Sequence, residues 1–471
     1  MQRKEFIRLG TLASLGLSLH PLSILGKPFL PVYQSANAIF YTNKDAEYDV
    51  LRQGFNSRIN KFPAAIALCK NTLGVQEAIR YAKKYNLTIT VKSGGHSMEG
   101  FSCGTGTMQI NLSLMNQINW VNDYEIKVGP ACLLKDLYKE LIPKNRILPG
   151  GSCATVAIGG LSLGGGYGLM SRLFGLTCDS LKAVTMVSGN GEIISSDTDP
   201  ELLWACKGGG NGHYGVITEM HFKVHNRPKI MSSYRFRSFK VSTERAKSIL
   251  GAWFEQSKSL PKSCFSSCLF NGDTAYILLT NVSGSSPAVQ TFISNMQKTC
   301  DKFTSNTDQP LEAALKNYYG LQHPVPFKNA SAGLYRSYAE IEPALEGILN
   351  IVFRTKGMIL QFNTLGGAIQ DPEFERQSSF PHREYTYFTE LQAYWEAPNT
   401  GELLMKRFEE VQQLVSKQGI VPQYANYPDI NFSNYETRYY GKNLERLRAV
   451  KMKYDPGNWL RYEQSIKPEG K

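Results

Sequence analysis

Long apolar runs, internal repeats and blocks of like charge are all missing from this sequence of 471 residues. Its one apolar stretch near the start, residues 11–26, is short for a membrane span and is broken by Ser14, Ser18 and Pro21. The formal net charge is +12, but the lysines and arginines are dispersed, whereas a nucleic-acid surface would concentrate them. We therefore expect neither stable membrane insertion nor a nucleic-acid partner, and 42% hydrophobic residues indicate a globular protein with a well-buried core.

Paired C-x-x-C groups are also missing, although the chain has nine cysteines. Cys264 and Cys268 are four apart with no histidine cluster behind them, so we predict no zinc or other metal site. The odd count leaves at least one cysteine outside any set of disulfides. We expect most of them to be small buried residues, with Cys153 as the exception.

The N-terminus has the anatomy of an export signal. Arg3, Lys4 and Arg8 precede the apolar run, and residues 36–38, Ala-Asn-Ala, offer a small-residue cleavage site. The start resembles a loose twin-arginine signal with Lys4 in place of the second arginine. The sequence thus predicts a signal peptide over residues 1–38 and an exported protein, periplasmic or secreted. The alternative is an uncleaved membrane anchor.

The pattern of the chain changes twice. Apolar residues at helical spacing predict a helix over 75–85, and alternation predicts a strand over 87–91 that leads into a glycine-rich loop. After residue 227 the glycine clusters are replaced by longer runs in which apolar and polar residues alternate. Near residue 422, loops rich in glycine and tyrosine appear again. We predict an α+β protein with a first domain over 39–227, a second over 228–420 and a C-terminal segment, 421–471, that returns to the first.

Two short motifs match familiar sites without the required surroundings. Gly210 to Gly215 fits G-x-G-x-x-G, but it precedes a predicted strand, whereas a dinucleotide fingerprint follows a strand and opens a helix. Ser162 lies in a G-x-S-x-G pattern, which in hydrolases joins a strand to a helix, yet glycines follow it. A nicotinamide site is therefore not expected, and a hydrolase with His382 as its base is a distant alternative.

Two glycine-rich loops carry more information. Residues 93–97, Ser-Gly-Gly-His-Ser, follow a predicted strand, and residues 150–155, Gly-Gly-Ser-Cys-Ala-Thr, begin a second loop that extends to residue 168. Glycine-rich backbone lets main-chain N–H groups close on a pyrophosphate or a flat ligand. The alternative is a pair of ordinary loops in which His96 and Cys153 are incidental.

These segments together resemble a known family. Residues 91–97, 151–168, 204–218, 424–429 and the end of the chain at 464–466 are similar, in the same order, to motifs of the vanillyl-alcohol oxidase/p-cresol methylhydroxylase flavoproteins, and specifically of their berberine bridge enzyme-like branch. The resemblance covers nearly the whole chain after the signal. It implies a two-lobed FAD-binding domain of the p-cresol methylhydroxylase type and a substrate domain with an antiparallel sheet covered by helices.

The same resemblance implies FAD bound covalently, through His96 to the flavin 8α-methyl and through Cys153 to flavin C6. The protein would position the flavin, which performs the hydride chemistry. The expected cofactor-binding residues are Lys92, Ser93, Gly94, Gly95, His96, Ser97, Gly129, Gly150, Gly151, Cys153, Thr155, Val156, Gly159, Gly160, Gly164, Tyr167, Gly215, Val216, Ile217 and Asn426.

Three positions depart from the family pattern. Met98 stands where many members have a tyrosine, Leu161 where a histidine is common, and Asn363 near the place of an acidic residue. The last change leaves open which carboxylate would assist the catalytic base. We expect that base to be Tyr424 or Tyr427, which needs a neighbour such as Lys or Arg to stabilise a phenolate.

Alternation in the second domain places further polar residues on common strand faces. Gln361 and Asn363, and likewise Glu390 and Gln392, are two apart, so each pair shares one face. We expect them to line the substrate side; the alternative is a polar face toward solvent.

The predicted activity is oxidation of an alcohol, most plausibly the anomeric carbon of a sugar or oligosaccharide, with molecular oxygen reduced to hydrogen peroxide. The resemblance places Val156 beside the locus where oxygen attacks, and members with valine there tend to be oxidases. The alternatives are a dehydrogenase that uses another electron acceptor and a flavin- or sugar-binding protein with little turnover.

Overall fold

The computed structural model describes residue 30 and residues 34–468. The basic start and the apolar run of the predicted signal peptide lie outside these residues. Ala38, at the predicted cleavage site, is the first residue of a strand and is fully buried.

The described residues form helices and strands with the following bounds. The helices are α1 Tyr48–Arg52, α2 Thr72–Lys84, α3 Leu134–Leu141, α4 Ile158–Leu163, α5 Ser171–Phe174, α6 Pro200–Cys206, α7 Thr243–Ser257, α8 Pro287–Gln297, α9 Leu311–Lys316, α10 Glu342–Arg354, α11 Pro372–Gln377, α12 Pro398–Lys417, α13 Tyr435–Tyr440 and α14 Leu444–Tyr454. The strands are β1 Ala38–Tyr41, β2 Ala65–Cys69, β3 Ile89–Lys92, β4 Met108–Asn111, β5 Ile118–Asn122, β6 Glu125–Val128, β7 Arg146–Ile147, β8 Leu181–Ser188, β9 Ile193–Ser195, β10 Gly215–Lys223, β11 His225–Asn226, β12 Ile230–Ser238, β13 Cys264–Asn271, β14 Thr274–Asn281, β15 Lys302–Pro310, β16 Phe327–Tyr335, β17 Met358–Thr364 and β18 Tyr387–Tyr394.

Two sheets are built from the strands that precede residue 224. One has the order β1-β2-β4-β3, with β2, β4 and β3 parallel, and the other is antiparallel with the order β5-β6-β10-β8-β9. Helix α2 buries Val75, Ala78, Ile79 and Ala82 against the first sheet, and its N-cap Asn71 accepts a hydrogen bond from the Gly74 N–H.

A seven-stranded antiparallel sheet with the order β15-β12-β14-β13-β17-β18-β16 follows. Its core lies on one face, where Leu360, Phe362 and Leu391 pack with Trp253 of α7 and Leu349 of α10. Because alternate residues point to opposite faces, the neighbours of these core residues lie on the uncovered face.

The edge strand β16 is interrupted by a bulge. Its pairing with β18 shifts between Ser331 and Leu334, and Gly333 has a φ of +106°, which favours glycine. The C-terminal return segment, residues 422–427, binds there: the Ser331 N–H donates to the Tyr427 carbonyl, and the Leu334 N–H donates to the Pro422 carbonyl. The return segment thus covers an edge that would otherwise be open.

The predicted α+β class is confirmed, as are the helix expected over 75–85, observed as α2, and the strand expected over 87–91, observed as β3. Within residues 30 and 34–468, no helix combines the length and apolarity that a bilayer crossing requires. The same residues contain no group of three or more His, Cys, Asp or Glu arranged to bind a metal ion.

Candidate active site

A cavity lies where the loop after β3, helix α4, the loop before β10 and the return segment meet. Most of the residues predicted to bind a cofactor or to act in catalysis contribute to its wall. These are Ser93, Gly94, Gly95, His96, Ser97, Val156, Gly159, Gly160, Tyr167, Gly215, Ile217, Tyr424, Asn426 and Tyr427.

The loop after β3 presents main-chain N–H groups to this cavity. Within the described part of the chain, the N–H groups of Gly94, Gly95, His96 and Ser97 have no protein acceptor. Gly95 has a φ of +71°, and this conformation makes the loop concave. Successive free N–H groups in a concave loop form an anion-binding nest, which suits a pyrophosphate.

Lys92 supports this loop from behind. Its ammonium donates to the carbonyls of Leu51 and Gln53, and a methyl group on Gly95 would lie 3.0 Å from Lys92 Cε. Burial lowers the pKa of Lys92 to about 8. Because its charge is engaged by backbone carbonyls and it is outside the cavity wall, Lys92 holds the loop.

His96 is fixed on two sides. Its Nε2 is 2.9 Å from Thr155 Oγ1, and its ring stacks on Phe55 with centroids 4.2 Å apart and planes 21° apart. Burial lowers the pKa of His96 to about 4, so the imidazole is neutral at physiological pH. A neutral, oriented imidazole is a nucleophile.

Cys153 lies two residues before Thr155, in the turn that leads into α4. All nine cysteines are in the described part of the chain and none forms a disulfide; Cys153 alone is exposed, which confirms the expectation that it differs from the others. A methyl group on Gly320 would lie 3.5 Å from its Sγ. Partial desolvation and then the Glu390 carboxylate raise the pKa of the thiol, which places Glu390 near this turn.

The glycines around the cavity serve two different purposes. A methyl group on Gly160 would meet only Ser93 Oγ, at 3.9 Å, and one on Gly212 would meet only Val91 Cγ2, at 4.0 Å. These backbones border open cavity. Gly129, Gly150 and Gly159 instead face protein: their methyl groups would lie 2.1 Å from the Met115 carbonyl oxygen, 2.7 Å from the Tyr138 hydroxyl and 2.6 Å from the Pro130 carbonyl oxygen. Their lack of a side chain is thus required by local packing, and Gly159 also contributes to the cavity wall.

Gly164 is required by an amide network at the opposite wall. A methyl group there would lie 2.1 Å from Asn426 Oδ1 and 2.5 Å from Asn211 Nδ2. Asn426 Nδ2 donates to the Leu161 carbonyl and to the Tyr424 hydroxyl, while Asn426 Oδ1 accepts from Asn211 Nδ2. The network fixes the return segment against α4.

The Tyr424 hydroxyl accepts two hydrogen bonds, from the Gly166 N–H at 2.9 Å and from Asn426 Nδ2 at 3.0 Å. Burial raises the pKa of Tyr424, so the phenol keeps its proton at neutral pH. With both lone pairs engaged, this hydroxyl can act only as a donor toward the cavity.

Tyr427 is closer to the large sheet. Its carbonyl binds the N–H of Ser331, the residue that pairs with Glu390 across β16 and β18. Burial first, and then Glu390 and Cys153, raise the pKa of Tyr427. The cation that we expected beside the tyrosine is not among the groups that act on Tyr427 in the described structure, and its principal charged neighbour is a carboxylate.

A continuous row of hydrogen-bonded side chains crosses the uncovered face of the seven-stranded sheet. Gln361 donates to Asn363 at 2.8 Å, and Asn363 donates to Glu390 at 3.2 Å. Gln392 donates to the other Glu390 oxygen at 3.1 Å, and Tyr394 donates to Gln392 at 3.2 Å. We call Gln361, Asn363, Glu390, Gln392 and Tyr394 the polar row.

The polar row does not face solvent. Asn363 is 1% exposed and Glu390 8% exposed, so the alternative of a solvated face is wrong for these two. Burial raises the pKa of Glu390 to about 7, against three hydrogen bonds that lower it. A carboxyl that titrates near neutral pH, beside Tyr427 and Cys153, is suited to acid–base chemistry.

Comparisons with known proteins agree with this geometry. A family model described as an FAD binding domain matches residues 63–197, and one described as berberine and berberine like matches residues 423–467. The chain is 27% identical to the uncharacterized FAD-linked oxidoreductase YgaK of Bacillus subtilis, over 91% of this chain and 96% of that one. It is 28% identical to the chitooligosaccharide oxidase of Gibberella zeae, over 88% and 89% of the two chains. The solved structure of the Physcomitrella patens berberine bridge enzyme-like protein 1 has the same fold, with a TM-score of 0.82 at 21% identity, over 92% and 98% of the two chains.

The expected resemblance to the berberine bridge enzyme-like proteins is confirmed.

The chain is an FAD-linked oxidoreductase with the fold that the sequence predicted. The residues present fit FAD: the nest over 94–97 offers free N–H groups, and Gly160 and Gly212 border open space. Asn211 Oδ1 is buried without a hydrogen-bond partner in the described structure and lies on the cavity wall.

Several predicted residues lie outside the cavity wall. Lys92 and Thr155 act on the His96 loop from behind, Val216 is fully buried in the core of the first sheet, and Gly151 receives the Tyr138 hydroxyl at its carbonyl. The polar row and Cys153 belong to the sheet side rather than to the wall.

The wall also contains residues that the prediction missed, among them Phe101, Asn211, Gly212, Tyr439, Tyr440 and Tyr462. Asn211 and Gly212 lie in the glycine-rich motif from Gly210 to Gly215, which was the available signal. Tyr462 lies beside the C-terminal motif at 464–466. No motif in the sequence around Phe55 indicates that its ring stacks on His96.

Neither of the two short motifs lies in the structural context that its usual function requires. Gly210 to Gly215 follows helix α6 and precedes β10, as expected for a loop that is not a dinucleotide fingerprint. Ser162 is fully buried within α4, and its hydroxyl donates to the Ile158 carbonyl at 2.7 Å. It therefore cannot act as a hydrolase nucleophile.

Proposed function

We propose that the protein oxidises an alcohol carbon of a sugar or oligosaccharide and passes the electrons to molecular oxygen, which becomes hydrogen peroxide. The polar row carries this proposal. Its amide and carboxyl groups form a buried, hydrogen-bonding surface beside Tyr427, and polyhydroxylated substrates need such a surface because each buried hydroxyl requires a partner.

In this proposal, different residues of the chain accept the proton, donate a hydrogen bond and orient the substrate. FAD, when bound, supplies the hydride acceptor. Glu390 accepts the substrate hydroxyl proton, directly or through the Tyr427 hydroxyl, because its pKa of about 7 lets it be ionised at neutral pH while both tyrosines stay protonated. Tyr424 donates a hydrogen bond toward the cavity. Gln361, Asn363 and Gln392 orient the carboxylate and the substrate.

We further propose that FAD is attached through both His96 and Cys153. The support is the contact between their loops, since Thr155, two residues after Cys153, binds His96. Among the solved structures that share the fold is the Acremonium strictum glucooligosaccharide oxidase, whose description names a novel flavinylation, at 21% identity and a TM-score of 0.80. The acid-precipitated protein should stay yellow. Single His96→Ala and Cys153→Ala variants should each keep some attached flavin, and the double variant should release all of it.

The substrate proposal is tested by anaerobic mixing with a panel of oligosaccharides and, as a control class, aromatic alcohols. We expect an oligosaccharide to bleach the flavin absorbance and air to restore it with peroxide formation. Bleaching only by aromatic alcohols would overturn the carbohydrate assignment. Bleaching without restoration by air would show a dehydrogenase.

The division into an FAD-binding domain, 39–227 with 421–471, and a substrate domain, 228–420, is part of this proposal.

We also propose that the protein is exported after removal of its signal peptide. Ser35 and Asn37 donate to the Glu77 carboxylate of α2 at 2.6 and 2.8 Å, so cleavage upstream of Ser35 preserves these contacts and cleavage at Ala38 removes them. N-terminal sequencing of protein from the cell envelope or medium tests export and identifies the cleavage position. An intact Met1 in the cytosol would contradict export.

A further inference from the structure

The two nitrogens of the His96 ring have different surroundings. Nε2 is 2.9 Å from Thr155 Oγ1, whereas Nδ1 has no hydrogen-bond partner in the described part of the chain. His96 borders the cavity and Thr155 does not, so Nε2 is directed to the protein side. Phe55 covers one face of the ring and leaves little freedom for the imidazole to turn over.

We propose that Thr155 is a positioning residue for cofactor attachment: by accepting a hydrogen bond from Nε2–H of His96, it selects the tautomer whose Nδ1 carries the lone pair that binds the flavin. This inference rests on the proposed covalent attachment at His96. A neutral imidazole has one N–H and one lone pair, so a bond at one nitrogen determines the other.

The attachment step balances with this tautomer. The Nδ1–carbon bond forms in place of a carbon–hydrogen bond of the flavin 8α-methyl, and the methyl proton is released. The two electrons enter the flavin ring, and dioxygen takes them up and leaves as hydrogen peroxide. The Nε2 proton stays on Nε2, hydrogen-bonded to Thr155 Oγ1, while the bond forms, and it then leaves, so that with the methyl proton it supplies the two protons of the peroxide. The neutral state of His96, which its burial maintains, keeps the Nδ1 lone pair free of a proton.

Besides the hydroxyl, the Thr155 backbone acts on His96 and raises its pKa, and the neighbours of Thr155 are held by backbone bonds of their own. Ala154 donates its N–H to the Tyr319 carbonyl, and Val156 donates its N–H to the Cys153 carbonyl and accepts from the Leu134 N–H. These bonds fix the turn independently of the Thr155 hydroxyl. Loss of the hydroxyl alone should therefore leave the backbone around His96 in place.

The test uses the Cys153→Ala protein as the parent, because His96 is then the sole proposed attachment point. Three derivatives are compared: Thr155→Val removes the hydroxyl at nearly constant volume, Thr155→Ser restores it, and Thr280→Val removes a buried hydroxyl that has no hydrogen-bond partner in the structure. For each purified protein, total flavin is measured first, and the fraction that stays with the chain after acid precipitation is measured second.

We expect the parent and the Thr280→Val derivative to retain their flavin after acid. The Thr155→Val derivative should bind FAD but retain at least tenfold less after acid, and Thr155→Ser should return to within about twofold of the parent, as conservative rescue of a hydroxyl requires. Equal retention by Thr155→Val and the parent would overturn the proposal, and so would failure of Thr155→Ser to rescue. Complete release from the parent would instead show that attachment at His96, and with it the basis of this inference, is wrong.

A second measurement does not depend on any variant. The flavin peptide that contains His96 can be isolated from the wild-type protein after digestion, and NMR identifies the substituted ring nitrogen. Substitution at Nδ1 supports the proposal, and substitution at Nε2, the nitrogen that Thr155 engages, overturns it.

Discussion

The cavity wall and the polar row are built in opposite ways. The wall is made largely of backbone: free N–H groups over 94–97, and glycines that either border open space or leave room for a neighbouring carbonyl. The polar row is made of side chains on ordinary strands, β17 and β18, whose backbone pairs regularly. The wall therefore depends on backbone conformation, whereas the polar row depends on which side chains two regularly paired strands carry.

One buried charge cluster connects the two regions. Lys328 of β16 is fully buried and binds Glu99, three residues after His96, and Asp429, two residues after Tyr427. Arg58 binds the second oxygen of Glu99 at 2.7 Å. The cluster thus ties the cofactor loop, the large sheet and the return segment together.

Lys328→Met should have the largest effect on stability. It leaves two buried carboxylates without their shared cation, and breaking a buried ion pair in this way costs about 3–5 kcal/mol. The free energy of unfolding from urea titration measures the change, with Lys356→Met, at an exposed lysine, as the control. A loss below 1 kcal/mol would show that the cluster does not couple the two regions.

Glu390→Gln tests the polar row through pH. The pKa of Glu390 is raised from 4.5 to about 7 in the folded protein, so the folded state binds this proton more tightly than the unfolded state. Its stabilising contribution is complete below pH 4.5 and is lost as the pH rises through 7, a change of about 3 kcal/mol.

The Gln variant has no such titration, so wild type should lose about 3 kcal/mol relative to it between pH 4 and pH 8, measured by unfolding at each pH. Glu346→Gln, at an exposed glutamate, should track the wild type. A pH-independent difference between Glu390→Gln and wild type would mean that Glu390 is not shifted, and the role proposed for it as proton acceptor would fail.

Two adjacent glycines in α4 allow backbone that faces protein to be compared with backbone that faces the cavity. Gly159→Ala places a methyl group 2.6 Å from the Pro130 carbonyl oxygen, so we expect about 1–3 kcal/mol of destabilisation from overpacking. Gly160→Ala meets no protein atom nearer than 3.9 Å, so stability should be unchanged while the flavin content falls.

Gly284→Ala, where a methyl group meets nothing within 4 Å, is the control for both variants. Thermal unfolding and the flavin-to-protein absorbance ratio separate the two effects. Full flavin content in Gly160→Ala would show that this backbone does not approach the cofactor.

The sequence indicated residues of both the wall and the polar row, but it revealed different features of each for a physical reason. A nest such as 94–97 needs glycine at defined positions, and those requirements are visible as motifs. Alternation placed Glu390 and Gln392 on one face but could not show which face the helices cover, nor that Asn363 donates to Glu390 on the neighbouring strand. Strand order and register depend on tertiary packing, and so did the contacts of Phe55 and Lys328.

Val156→Leu should have the smallest effect of these variants, and that effect should be on the rate at which oxygen reoxidises the flavin. Val156 lies on the cavity wall, three residues after Cys153, and is packed beside the core of the second sheet. One added methylene in a packed site fills space comparable to a small diatomic molecule. We expect reoxidation of the photoreduced enzyme by oxygen to slow about tenfold, which corresponds to about 1.4 kcal/mol of activation free energy.

Stopped-flow absorbance measures this rate without a known substrate, and Val121→Leu, at an exposed valine, supplies the control for an added methylene elsewhere. Flavin reduction by a substrate, once one is found, should change little in Val156→Leu, because the polar row that orients the substrate is on the sheet side and not in this turn. If wild type reoxidises as slowly as the leucine variant, oxygen does not use this space, and the dehydrogenase alternative replaces the oxidase. If both reoxidise rapidly, the protein is an oxidase whose oxygen access is not controlled by Val156.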